Sequence, residues 1–143
     1  MKRLELKRVR VCGRCGRGRA ELESPTGDRL VVSLDATRAR TLERLAGAGA
    51  GDASTNPPAR TVADFLLAEV ARSGGRPTDV VFDKGLEGLR ALLAVQRGDD
   101  TEVLACTAEE GLELAVRGRL PLYADDDVLA RDRPEPADGH TLH

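Results

Sequence analysis

The chain has no tryptophan, one tyrosine and two phenylalanines, so aromatic residues make up 2% of its 143 positions. A surface that reads single-stranded bases by stacking them on aromatic rings is thereby excluded. Histidine is equally scarce: the two present, His140 and His143, lie at the C-terminal end, and no Ser-His-Asp or Cys-His arrangement can be drawn through them. Three cysteines, an odd number, argue against a disulfide framework. No apolar run approaches the roughly 20 residues that a membrane span requires. The opening "MKRLELKRVRV" alternates charge with Leu and Val where a secretory leader would carry a continuous apolar core. The expectation is a cytoplasmic protein without a membrane partner. Isoleucine is absent and 19 arginines stand against three lysines, a bias attributable to a GC-rich genome and therefore uninformative about chemistry.

What is present fits one hydrophobic core. A chain of 15.3 kDa with 41% hydrophobic and 32% charged residues reads as globular. We expect a domain over residues 1–130 and an irregular tail over 131–143, which carries Pro134, Pro136 and Gly139. Net charge is −2 but unevenly spread: residues 1–19 hold eight Lys or Arg and one Glu, whereas residues 99–143 hold twelve Asp or Glu and four Arg. The basic end can attract phosphate and the acidic end divalent cations, or the two can meet as weakly paired surface.

Period-two alternation predicts a strand from Leu4 to Val11, a second from Arg19 to Glu23 and a third from Leu30 to Leu34, with a turn at "SPTGD". Asp35 is a good N-cap for a helix over Ala36 to Ala46, with Ala39, Leu42, Leu45 and Ala46 on one face. "GAGAGDASTNPPA" reads as a flexible loop. Thr61 opens the next helix, over about residues 61–73, with Asp64 at the third position and a buried stripe centred on Phe65. Asp79 to Phe82 and Leu89 to Val95 read as a hairpin turning at Glu87-Gly88, and Glu102 to Cys106 as the next strand. Thr107-Ala-Glu-Glu110 is a capping box for a helix over 107–117 that points Leu112, Ala115 and Val116 inward and ends at Gly118. Pro121 to Ala124 is a short last strand. The predicted fold is α+β: two related strand-strand-strand-helix halves sharing a mixed or antiparallel sheet, with an additional helix between them.

Three passages carry a family resemblance: "MKRLELKRVRV…SPTGDRLVVSLDATRARTL", "ARTVADFLLAEVARSGGRPTDVVFDKGLEG" and "CTAEEGLELAVRGRLPLYADDDVL". In order and spacing they resemble the bifunctional nuclease domain, from about Met1 to Leu129. The resemblance implies a metal-dependent nuclease acting on DNA and RNA with low sequence specificity, supported by Mg²⁺ or Mn²⁺ and self-associating into a homo-oligomer. The polar positions differ. Where family members commonly read Arg-Pro-Ser-Asp, this chain has Thr107, Ala108, Glu109 and Glu110. The family's His-Asp pair meets Asp64 and Phe65, a family Glu meets Arg38, and an Ile-Trp-Ile-Gly ending meets Val32, Ser33, Leu34 and Asp35. The alternative is a catalytically degenerate relative that keeps the fold to bind nucleic acid or a protein.

Metal-assisted phosphodiester hydrolysis needs carboxylates that converge on a divalent cation, and Asp64, Glu109 and Glu110 are the candidates. Asp64 and Glu110 each occupy the third position of a helix, where a carboxylate also serves as a cap partner. Asp125-Asp126-Asp127 is either a hard-cation site or a solvated turn. Arg14, Arg17, Arg19 and Arg60 are the candidate phosphate contacts, and Gly13, Gly16 and Gly18 would let backbone amides approach an anion. Any binding to DNA or RNA would be electrostatic and sequence-tolerant. Cys12 and Cys15, in "CGRCG", have the spacing of half a zinc site, which Cys106 or His140-x-x-His143 could complete. A redox dithiol and a pair of plain thiols at a strand end are the other readings.

Overall fold

The computed structural model describes residues 1–47 and 61–130. Strand β1 covers Lys2–Val11, β2 Gly18–Glu23 and β3 Arg29–Leu34; helix α1 covers Ala36–Gly47 and α2 Val62–Arg72. Strands β4 (Arg76–Gly85), β5 (Gly88–Arg97) and β6 (Asp100–Thr107) follow, then helix α3 (Ala108–Gly118), strand β7 (Leu122–Ala124) and a short 3₁₀ turn over Asp126–Val128. The described strands form one seven-stranded sheet in the order β3-β2-β1-β7-β4-β5-β6. All pairings are antiparallel except β4 with β7, so the sheet is mixed. The architecture is α+β, a β-β-β-α unit made twice with α2 between the two copies. No helix among the described residues is long and apolar enough to cross a membrane.

Register puts one apolar row on a single face of this sheet. Leu22 pairs with Leu30 and Ala20 with Val32 in the first half; Val80 pairs with Leu93 and Phe82 with Ala91 in the second. Leu122 bridges the halves, pairing with Leu4 on one side and Val80 on the other. These residues, together with Ala39 and Leu42 of α1 and Leu112, Leu114 and Ala115 of α3, make one core. Leu4 and Leu6 are even-numbered whereas Val9 and Val11 are odd, so a regular strand could not send all four inward. A bulge between Leu6 and Arg8 absorbs the extra residue and restores the face.

The two halves use the same close contact with the partners exchanged. At Gly18, on the middle strand β2, an added methyl would collide with the Ala39 side chain of α1. At Gly111 of α3 it would collide with the Ala91 side chain of the middle strand β5. Ala39 and Gly111 both lie four residues after their helix caps, Asp35 and Thr107. Each helix therefore lies on its middle strand through a glycine-alanine pair, which lets backbone approach backbone closely.

Several expectations are corrected in detail. Phe65 does not centre a buried stripe: it is 60% exposed, and Val62 is 81% exposed. Helix α2 packs on α3 and the flank of β4, and turns inward its small face, Ala63 and Val70, with Leu67 partly buried beside them. The hairpin turns at Leu86-Glu87, because Gly85 and Gly88 are paired in the ladder. Helix α3 runs through Gly118, and the left-handed cap residue is Arg119, at φ 55°. Leu112 is fully buried, as the periodicity predicts.

Candidate functional site

The N-terminal ends of α1 and α2 converge on the side of α3, and a chain of ion pairs ties them together. Glu113 is at its centre, with a side chain 5% exposed. Its Oε1 accepts from Arg38 Nε at 2.8 Å; its Oε2 accepts from Arg117 Nε at 2.8 Å and from the Thr61 hydroxyl at 2.9 Å. Arg117, 6% exposed, also donates through Nη1 to Asp64 Oδ2 at 2.7 Å. Arg38 extends the chain outward, with Nη1 3.1 Å from Glu109 and 3.5 Å from Asp35. Glu109 Oε2 then accepts from the Asp35 backbone N–H at 3.2 Å.

Two guanidiniums thus serve four carboxylates, Asp35, Asp64, Glu109 and Glu113. Asp35, Asp64 and Glu109 lie in the first turn or at the cap of a helix, where the macrodipole favours negative charge. Burial pushes the Glu113 carboxyl up, but hydrogen bonds from Arg38, Thr61 and Arg117 outweigh it and hold the group below its ordinary range. Burial likewise weakens the charge on Arg38, and the pairing with Glu113 more than restores it. Arg117 Nη2 is the one buried side-chain polar atom among the described residues left without a partner.

Local sequence places each of these groups. Glu109, Glu113 and Arg117 recur every four residues on α3 and so share one stripe of the helix. Asp35 caps α1, accepting from the Arg38 N–H at 2.7 Å, which sets Arg38 at the head of that helix facing α3. Asp64 caps α2 by accepting from the Thr61 N–H at 3.0 Å, and the Thr61 hydroxyl donates its proton to Glu113.

Of the three candidate catalytic carboxylates, Asp64 and Glu109 lie on this chain, each held by an arginine. Glu110 does not join them. Its Oε1 accepts from the Thr107 N–H at 2.9 Å and its own N–H donates to Thr107 Oγ1 at 3.2 Å, the reciprocal capping box read from sequence. No group of three or more His, Cys, Asp or Glu among the described residues is arranged to hold a metal ion. Asp125, Asp126 and Asp127 are exposed where the 3₁₀ turn begins.

A groove of about 890 Å³ adjoins the outer end of the ion-pair chain. Its lining combines Arg10, Arg17 and Arg19 with Asp35 and Glu109. Glu21 moderates the positive charge there, with Oε2 3.1 Å from Arg10 and 3.7 Å from Arg19, and Oε1 3.1 Å from Arg8. Of the candidate phosphate contacts, Arg17 and Arg19 line this groove and Arg14 is exposed on the adjoining turn. Arg60, His140 and His143 lie outside the described residues. Cys12 also lines the groove; hydrogen bonds from the Cys15 thiol and then the backbone bring its pKa down to about 7. Cys106 is distant in character as well as place: burial and the nearby Glu110 push its thiol up to about 11.

Sequence reasoning missed Glu113, Arg117 and Arg10. The four-residue recurrence on α3 was a usable signal, because it puts Glu113 on a helix otherwise rich in inward-facing leucine. No model of a known protein family matches this sequence, and no curated protein does.

Proposed function

We propose that this protein binds the phosphate backbone of DNA or RNA without sequence preference, as a degenerate relative of the bifunctional nuclease domain whose polar centre has become structural. The observation that carries this reading is the groove lined by Arg10, Arg17 and Arg19, with Arg14 beside it. The surrounding chemistry agrees. The outward face of β1, β2 and β3 carries Arg8, Arg10, Arg19 and Arg29, interleaved with Glu21 and Glu23. Tyr123, the sole tyrosine, is engaged with the Arg3 guanidinium 5.8 Å from its ring centre, and neither it nor the exposed Phe65 is among the residues lining the groove. Positions that the resemblance singles out, Arg38, Asp64 and Glu109, belong to one ion-pair chain, and an arginine at position 38 supplies internally the positive charge that a metal would otherwise bring.

A second reading retains the nuclease. Asp64, Glu109 and Glu113 lie along the same chain, so swinging Arg38 and Arg117 onto a bound phosphate would free carboxylates for Mg²⁺ or Mn²⁺. One experiment separates the two: fluorescence anisotropy with labelled single- and double-stranded oligonucleotides, alongside a cleavage assay with and without each metal. Three arginine contacts predict affinity falling roughly 20- to 40-fold between about 50 and about 200 mM salt, with no cleavage. Absence of binding at low salt would overturn the binding reading. Metal-dependent cleavage that disappears in Asp64→Asn or Glu109→Gln would establish the nuclease.

A further inference from the structure

The segment from Cys12 to Arg17 is a tight turn closed by hydrogen bonds around Cys12. The Cys15 N–H donates to Cys12 Sγ at 3.4 Å, the Gly16 N–H to the Cys12 carbonyl at 3.0 Å, and the Cys12 N–H to the Arg17 carbonyl at 2.7 Å. Gly16 has φ +75°, the left-handed conformation that lets the chain fold back immediately after the second cysteine. Reversal between β1 and β2 requires none of the sulfur geometry. An N–H directed at Cys12 Sγ stabilises thiolate character and orients its lone pairs, and the turn holds the second sulfur on the same exposed tip. Two cysteines so arranged supply two of the four ligands of a tetrahedral thiolate site.

Among the described residues nothing supplies the other two. Cys106 lies in the opposite half of the molecule, its Sγ directed at the Ala91 carbonyl under α3. We infer that Cys12 and Cys15 of two copies of this chain close around one zinc-class divalent cation, joining the copies by a two-fold axis through the turn. Charge supports a second copy as the occupant. A divalent cation with four thiolates carries two excess negative charges, and the exposed Arg14 and Arg17 of each copy lie within two residues of Cys15 in the same turn. Without the metal, the same arginines would repel each other. A site closed by four sulfurs has no open position for substrate, so its role is assembly. Because Cys12 also lines the groove, pairing at the turn would set two basic grooves side by side. The inference stands whether or not those grooves take nucleic acid.

The test uses the full chain, purified in reductant without chelator, with zinc measured by elemental analysis and mass by light scattering after size exclusion. The expected result is about 0.5 zinc per chain in a dimer, both lost on treatment with a strong chelator and restored by zinc. Cys12→Ser and Cys15→Ser should each give a zinc-free monomer with an unchanged circular dichroism spectrum, because the turn is exposed. The double variant His140→Ala/His143→Ala should keep both metal and dimer. Cobalt replacement should give a thiolate-to-metal charge-transfer band characteristic of tetrahedral coordination. One zinc per monomeric chain, lost in the histidine variant, would overturn the inference in favour of an intramolecular Cys₂His₂ site. A monomer that takes up no zinc when zinc is supplied would overturn it outright.

Discussion

Glu113 and Arg117 are one helical turn apart on α3, 2.8 Å between Oε2 and Nε, and both are almost wholly buried. An i, i+4 pair of this kind usually lies on a solvated face, where it stabilises by about 0.3–0.5 kcal/mol. Here it is roofed by Thr61 and Asp64 of the α2 entry and flanked by Arg38 of α1. Removing the central carboxylate would leave two arginines in low dielectric without their partner. Glu113→Ala is expected to lower stability by about 3–5 kcal/mol, measured by urea denaturation. A loss below about 1 kcal/mol would mean that water replaces the carboxylate there. Glu113→Gln should cost less, since its amide oxygen still accepts one arginine.

Acid should dismantle two anchors. The folded Glu113 carboxyl lies below its unfolded range, so its contribution is complete above about pH 4.3 and fades as pH falls through the lower folded value. Asp28 is held at about 2, first by the hydrogen bond from Lys2, at 2.6 Å, and then by Thr26. Its contribution is likewise lost as pH falls from about 4 toward 2. Stability should therefore be nearly flat from pH 5 upward as far as these groups decide it, and drop below about pH 4. In Asp28→Asn the drop should be shallower. An acid profile identical to the wild type would remove Asp28 as an anchor.

The thiols should separate cleanly in reactivity. With Cys12 near pKa 7 and Cys106 near 11, most of the former and almost none of the latter is thiolate at about pH 8. In metal-stripped protein, brief iodoacetamide treatment read by peptide mass spectrometry should label Cys12 and spare Cys106 until denaturant is added. Equal labelling of the two in the folded chain would contradict these environments.

Gly111→Ala should lower thermal stability, because the new methyl meets Ala91 with no room to move. Overpacking of this kind costs about 1–3 kcal/mol. Adding Ala91→Gly recreates the partner arrangement of the first half, where Gly18 lies on the strand and Ala39 on the helix. The double variant should recover part of the loss; additive destabilisation would show that the two positions do not share the contact.

Nearest-neighbour chemistry made most elements legible. Alternating Leu and Val in β1 and β3, the Asp35 cap and the Thr107-Glu110 box each act within a few residues, so order, approximate ends and the α+β class followed from sequence. Helix α2 shows where local reasoning stops. Its larger apolar stripe, Val62, Phe65 and Leu66, faces outward, and Ala63, Val70 and Leu67 are the residues turned toward α3 and β4. The site was still less visible. Glu113 meets Arg38 across 75 positions and Thr61 across 52, and Arg117 meets Asp64 across 53. Sequence determined which charges exist and on which helical stripe each lies. Only the tertiary structure, by setting three helices on one face of the sheet, decided that Asp64 pairs with the buried Arg117 and Glu109 with the half-buried Arg38, because ion pairing depends on distance through space and not along the chain.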